Sequence, residues 1–368
     1  KSRVIHNMKS YYSKLVGKIK NRILPSKESV LGIDVGPGYL KVVELSLVEE
    51  NTIKAVAINS LDKSIFDEEG IADINLLSQI LRRTIEVNGI SAKHAVLSLG
   101  GRALFAREIL FPKMTETELT EAIKWEIEKY VPYEPEKYFY DYNVIGEAEN
   151  GKEIRVMLVA APKGNVENLV SLVKSAGLKP FIIDGETFAL SRTIGVEDYI
   201  CVDIGKVNTQ VIIYQDGVPI TNRNIPLFGD SFTRAIAQVL DLDYVEAESF
   251  KQRQKNLVTV LGQVETVTPV QEKLNEMVDE LGREILRTIE YFQIQKREAV
   301  FEKIIISGGG ARLDGLVNRL ATEIRIPVEM HQPLQNLQWI KSFDKQYLQS
   351  VAPQLAIAVG LALRGGEE

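Results

Sequence analysis

The sequence predicts an α/β protein of two lobes, with a small α+β subdomain inserted in the first. Three observations predict it. The chain of 368 residues is longer than the size at which a single core stops growing, about 250–300 residues. The apolar run Val30-Leu31-Gly32-Ile33-Asp34-Val35-Gly36, followed by Leu40 to Leu45, has an echo far downstream: Tyr199-Ile200-Cys201-Val202-Asp203-Ile204-Gly205, followed by Gln210 to Tyr214. Each run reads as a buried strand ending in Asp-x-Gly, a tight turn and a second strand, so each lobe opens on a β-hairpin. A third buried strand, Lys303 to Ile306, runs into Ser307-Gly308-Gly309-Gly310.

The elements between these landmarks follow in order. Leu76 to Val87 has helical spacing, and Ala95 to Leu99 is a strand closed by Gly100-Gly101. Glu116 to Val131 is a helix with Thr115 as cap, Glu118 at the capping-box position and Pro132 as stop. Strands are expected at Tyr138 to Ile145, Ile154 to Ala160 and Pro180 to Ile183, with a helix over Val166 to Ala176. The block 93–184 therefore reads as the inserted subdomain. Gly229-Asp230-Ser231 caps a helix through Leu240, and Pro269 to Gln295 is a long helix with Leu274, Met277, Val278, Leu281, Ile285, Ile289 and Phe292 on its core face. After Gly310 come a helix to Ile324 and a strand at Pro327 to Met330. A terminal helix over Val351 to Leu363 has Ala352, Ala356 and Gly360 at every fourth position, a stripe that admits close approach of another helix.

Composition narrows the function. The formal net charge of −6 argues against a protein that coats nucleic acid. The single cysteine, Cys201, lies in an apolar run and reads as a core residue in a reducing compartment. His6, His94 and His331 are scattered without cysteine partners, so a zinc site is not expected. No stretch approaches the roughly 20 apolar residues of a membrane span, which makes a cytoplasmic location the expectation and any membrane contact indirect. The leader 1–29 is basic and amphipathic, with Lys9, Lys14, Lys18, Lys20 and Arg22 among Leu15, Val16, Ile19 and Ile23. It reads equally as a solvated leader or as a membrane-surface helix.

The chemistry of the turns is specific. An Asp fixed at a strand end can hold Mg²⁺ directly or through water, and the adjoining glycine turns backbone N–H groups toward phosphate oxygens. Asp34 and Asp203 are the metal candidates. Two such hairpins can clamp a phosphate chain from both sides, and the backbone of Gly308, Gly309 and Gly310 can lie against a nucleoside.

This trio resembles the phosphate-1, phosphate-2 and adenosine motifs of the actin, Hsp70 and sugar-kinase superfamily. The resemblance implies a two-lobed actin-like (ribonuclease-H-like) ATPase fold that binds ATP with Mg²⁺. It assigns to the cofactor Gly36, Gly38, Tyr39 and Lys41 of the first turn, Gly205, Lys206, Asn208 and Thr209 of the second, and Arg312 after the glycine triplet. Glu246-Ala247-Glu248-Ser249-Phe250-Lys251 is similar to a bacterial-actin segment that contacts ribose and base, which implies that role for Glu248 and Lys251; a solvated helix face is the alternative. In this fold a side chain near the first connecting helix polarises the attacking water. Glu186 is the candidate and Asp184 the second, each of which can equally cap that helix. The domain reading that follows is 30–92 for the first lobe, completed by 185–198 and 351–368; 199–230 and 301–350 for the second; and 231–300 for its helical subdomain.

Within the superfamily, Glu121 to Tyr133 and then Tyr140-Asp141-Tyr142 closely resemble the inserted subdomain of the PilM family of type IV pilus assembly proteins. That resemblance implies a cytoplasmic scaffold, recruited to the inner face of the membrane, which holds the tail of a PilN-type membrane protein beside other pilus motor and platform proteins; self-association is left open. Trp125 lies opposite the core-facing arc of Leu119, Ala122, Ile123, Ile127 and Tyr130, and either packs on the neighbouring lobe or meets a partner. Trp125, Tyr130 and Tyr133 are the partner candidates. The first turn, Gly36-Pro37-Gly38-Tyr39, departs from the family in lacking small hydroxyl residues, so slow or absent hydrolysis is expected. The alternatives are an FtsA-like division actin, which carries an amphipathic C-terminal helix where this chain has Arg364-Gly365-Gly366-Glu367-Glu368, and a small-molecule kinase of the same superfamily.

Overall fold

The computed structural model describes residues 29–367 apart from 49–50, 68–69, 149, 261–265, 297–298 and 341–342. All but the last residue of the predicted basic leader lie outside the described residues.

β1 (Ser29–Gly36), β2 (Tyr39–Ser46) and β3 (Thr52–Ser60) form an antiparallel meander, and β4 (His94–Leu99) lies parallel to β1. β5 (Phe105–Pro112), β6 (Tyr138–Glu147) and β7 (Glu153–Pro162) make a separate sheet in the order β5-β7-β6. β8 (Lys179–Gly185) returns to pair with β4. β9 (Tyr199–Ile204), β10 (Thr209–Gln215) and β11 (Val218–Ile225) repeat the meander; β12 (Ile304–Ser307) and β13 (Val328–Met330) extend it in parallel. β14 (Gln338–Trp339) crosses back to pair with β3. The sheet orders are β14-β3-β2-β1-β4-β8 and β11-β10-β9-β12-β13. Apart from β14 they are the same arrangement used twice, which is the structural content of the repeated Asp-x-Gly hairpins.

Helices pack against the sheets, and two of them have side-chain caps that fix where they begin. Asp73 accepts from the Leu76 amide at 2.8 Å and opens Ile74–Val87, which buries Leu77, Leu81 and Ile85 in the first lobe. Thr268 and Gln271 form a capping box ahead of Pro269–Gln295, and that helix buries Leu274, Val278, Leu281, Ile285, Ile289 and Phe292 against the second sheet, the stripe its periodicity predicts. The helices Glu186–Ile194 and Ala356–Arg364 connect the lobes. They cross at Gly360, where an added Cβ would stand 1.9 Å from the Ala189 carbonyl oxygen.

Three boundaries differ from the sequence reading. β4 and β8 belong to the six-stranded sheet, and the helix Lys163–Ser175 packs Leu169, Leu172 and Val173 into the first-lobe core. The inserted unit is therefore the β5-β7-β6 sheet with its helix, narrower than 93–184. That helix is α only over Glu116–Glu126 and tightens to a 3-10 turn at Ile127–Lys129, as helix ends before a proline do. The terminal helix is broken into Lys345–Val351, a 3-10 turn Ala352–Leu355 and Ala356–Arg364, because Pro353 has no N–H to donate.

Candidate nucleotide site

Register makes the first half of the site. Asp34 and Lys41 are paired residues of the β1–β2 hairpin, and Lys41 Nζ lies 2.6 Å from Asp34 Oδ2. In the β9–β10 hairpin the equivalent pair is Asp203 and Gln210, so a neutral amide stands opposite Asp203 where Asp34 has a lysine. Glu186 opens the first connecting helix, and its carboxylate occupies the space beside Gly100, where a Cβ would lie 1.7 Å from Glu186 Oε2. Gln210 Nε2 donates to Glu186 Oε2 at 3.4 Å, and the Gln210 Oε1 accepts from Asn222 Nδ2 at 2.7 Å, which fixes the amide's orientation.

Three carboxylates thus share one lysine. Burial pushes the Glu186 carboxyl up to about 7, the charges of Asp34 and Asp203 add to this, and Lys41 and the Gln210 bond oppose it. Burial raises Asp203 to about 6, with Asp34 adding and Lys41 opposing. For Lys41, burial favours the neutral amine, but Asp34, Asp203 and Glu186 outweigh it and the ammonium is held above its ordinary value.

Glycines close the walls. Gly38 faces the second turn so closely that a Cβ would sit 2.3 Å from Lys206 Cδ. Gly308 has φ +83°, and a Cβ there would be 2.6 Å from Asp203 Oδ1. Gly310 rests on Ile204 in the same way, with a Cβ 2.3 Å from Ile204 Cγ2. The Gly205 amide donates to the Asn208 carbonyl at 2.8 Å, which forms the second turn. Lys206 Nζ lies 5.9 Å from the Tyr39 ring centre. Burial and the Glu248 charge raise the Tyr39 hydroxyl, opposed by a Gln252 side-chain hydrogen bond, Arg312 and Lys41. Tyr39 therefore spans from the first turn to the second lobe. Glu248 and Lys251 pair at 2.8 Å, and Lys251 Nζ also donates to the Gly229 carbonyl at 3.0 Å. Arg312 Nη1 donates to Gln354 Oε1 at 3.3 Å.

Two candidates have side chains engaged elsewhere. Asp184, near the end of β8, is ion-paired at 2.5 Å to Arg192 of the helix that follows and accepts from the Gly185 amide. Thr209 is fully buried and its hydroxyl donates to the Leu227 carbonyl at 2.6 Å, which removes it from the turn's face. The partner candidates also separate. Trp125 is 79% exposed, whereas Tyr130 and Tyr133 are half-buried against the inserted sheet's core, Tyr133 lying 6.2 Å from Tyr138. Gln210 and Gly100 were missed; aligning the two hairpins by register would have put Gln210 opposite Asp203.

A Mg²⁺–nucleotide fits this donor set. The excess of carboxylates over cations calls for positive charge. Among the described residues no group of three or more His, Cys, Asp or Glu can enclose a metal, so phosphate and water oxygens would complete the coordination.

A family profile for the type IV pilus assembly protein PilM matches residues 32–366. The chain belongs to the PilM family. Among solved structures, a PilM–PilN type IV pilus biogenesis complex superimposes with a TM-score of 0.79 and 28% identity over 94% of this chain and 100% of that one. MreB5 of Spiroplasma citri bound to ADP is similar in fold, with a TM-score of 0.51 and 12% identity over 92% of this chain and 96% of that one. The predicted two-lobed actin-like fold is thereby established. The cell division protein FtsA of Borreliella burgdorferi is 26% identical over 241 residues, 59% of this chain and 55% of FtsA, so the match spans about half of that relative's length. Among the described residues of this PilM-family chain, no helix is long and apolar enough to cross a membrane.

Proposed function

We propose that the chain is an ATP-binding actin-like scaffold of a type IV pilus machine, acting at the cytoplasmic face of the inner membrane and holding the tail of a PilN-type membrane protein. The observation that carries the nucleotide half is the set of three carboxylates, Asp34, Asp203 and Glu186, around Lys41 where two glycine turns meet. Asp34 and Asp203 would orient Mg²⁺, and Lys41 with the turn amides would meet the phosphates. Bound Mg²⁺ supplies the positive charge that the cluster lacks. Lys206 and Tyr39 close the phosphate end, while Glu248, Lys251 and Gly308 to Gly310 border the nucleoside. Glu186 is the residue poised to hold an attacking water; the Pro37-containing first turn offers few donors to a terminal phosphate, so turnover is slow. The partner half is supported by the similarity to the PilM–PilN complex.

Thermal melting tests the nucleotide half. A ligand at a hundredfold excess over Kd stabilises a fold by about 2.7 kcal/mol. MgATP should raise the melting temperature of the natural protein, and Asp203→Ala should lose most of that rise. An equal rise in both would remove Asp203 from the site.

A further inference from the structure

The lobes also meet beside the two glycine turns. The loop after β3 carries Lys63 at the start of the 3-10 turn Lys63–Ile65, whose cap is Asp62, accepting from the Ser64 amide at 2.8 Å. Lys63 Nζ leaves the first lobe and reaches Asp230 Oδ2 of the second at 3.3 Å, lying 4.7 Å from the Tyr244 ring centre. Asp230 stands in the first turn of the helix Gly229–Leu240, and Tyr244 opens the helix Tyr244–Arg253. Tyr244 Oη donates to Asp230 Oδ1 at 2.5 Å.

Asp230 is 1% exposed, and its Oδ2 is a buried oxygen with no hydrogen-bond donor of ordinary geometry. Its charge is balanced by Lys63 from across the cleft, with Arg234 more distant at 3.9 Å. A buried carboxylate that loses its cation is strongly penalised, so the closed arrangement depends on Lys63, whereas opening the cleft would return Asp230 to water. The pair is also tied to both phosphate turns. The Leu61 amide donates to the Gly38 carbonyl at 3.0 Å, and the Gly229 and Asp230 amides donate to the Gly205 and Lys206 carbonyls at 2.9 and 2.8 Å. A shift of either turn is thus transmitted to the pair within two residues.

We propose that Lys63, Asp230 and Tyr244 form a clasp between the lobes that sets how long a nucleotide stays in the cleft. The inference rests on the cleft being the nucleotide site. Lys63 acts through lobe closure and is a positioning residue.

The test is the dissociation rate of Mg²⁺-bound mant-ATP, chased with excess ATP in a stopped-flow instrument. Lys63→Met should release the probe tenfold or more faster than the natural protein, and Lys63→Arg should release it at nearly the natural rate. Asp230→Asn should also release it faster, and Lys63→Met combined with Asp230→Asn should be no faster than Lys63→Met alone. The Lys63 side chain is 57% exposed, so its replacement leaves the core intact. Hydrogen exchange without nucleotide supplies a second reading: in Lys63→Met, exchange should rise over both 61–65 and 229–233. Unchanged dissociation overturns the proposal. Faster dissociation with no change at 229–233 also overturns it, because Lys63 would then hold the nucleotide directly. If the natural protein binds no mant-ATP, the nucleotide reading and the residence role fail together, while the exchange data still report whether the clasp joins the lobes.

Discussion

Asp34 and Asp203 occupy equivalent places in two hairpins, and what distinguishes them is a single residue opposite each. Lys41 neutralises Asp34, whereas Gln210 leaves Asp203 to draw on Lys41 from across the cleft. Glu186 joins the same cluster, and its carboxyl is raised from 4.5 to about 7, chiefly by burial. An acid whose folded value lies above its unfolded one holds more protons when folded. Its ionisation therefore costs stability: the cost is absent below about pH 4.5, grows through the interval and is complete above about pH 7. Glu186→Gln removes that cost. Allowing for partial access to water, the ligand-free variant should be more stable than the natural protein by on the order of 1 kcal/mol at pH 8, and the gain should vanish toward pH 4.5. Because a divalent cation favours ionised carboxylates, the melting shift given by MgATP should also be larger at pH 8 than at pH 6 in the natural protein and flatter in Glu186→Gln. Urea denaturation and thermal melting across pH decide this; a variant less stable at pH 8 would show that Glu186 is structurally compensated.

At the scale of elements, the connecting helices meet in a close backbone crossing. Gly360 meets the Ala189 carbonyl and Gly32 meets the Ala358 carbonyl, each with room for no Cβ: the oxygen would be 1.9 Å away in both cases. Gly360→Ala should cost about 3 kcal/mol, the upper part of the range for overpacking, since backbone must move to admit the methyl group. Gly164→Ala is the comparison: it lies in the helix Lys163–Ser175 with nothing near its Cβ position, and should gain up to about 1 kcal/mol from helix propensity. Equal urea midpoints for the two variants would refute the crossing. This crossing was legible in the sequence because small residues recur at helical spacing. The inserted unit was less legible, since short apolar runs such as β4 and β8 declare strands without declaring which sheet receives them. β11, with Pro219, Asn222 and Arg223, lacks the apolar alternation that marks a strand, as an edge position allows. The Lys63–Asp230 contact could not be read at all, because nothing local joins a loop lysine to a helix start in another lobe.

At the scale of the whole molecule, nucleotide and partner readings fall on different cores. The cleft is built from the two large sheets. The inserted sheet has its own apolar cluster of Ile109, Phe111, Leu119, Ile123, Ile127, Val131, Tyr138 and Val156. The helix that covers this cluster is fixed by a reciprocal cap, with Thr115 Oγ1 accepting from the Glu118 amide and Glu118 Oε2 accepting from the Thr115 amide. It buries Leu119 and Ile123 and leaves Trp125 on the opposite side at 79% exposure. A tryptophan so exposed on a rigidly capped helix contributes little to folding, and exposed aromatics of this kind anchor peptides at interfaces. Tyr130 and Tyr133 instead pack on the core of the inserted sheet. Trp125→Ala should therefore weaken binding of a PilN-type tail peptide by about 1 kcal/mol or more, a roughly fivefold rise in Kd, while preserving the melting temperature and the MgATP-induced shift. Isothermal titration with the peptide, run beside melting curves, separates the two effects. An unchanged Kd in the folded variant would move the tail to another face of the inserted sheet. A lost MgATP shift would show instead that the two cores are coupled, against the separation seen in their packing.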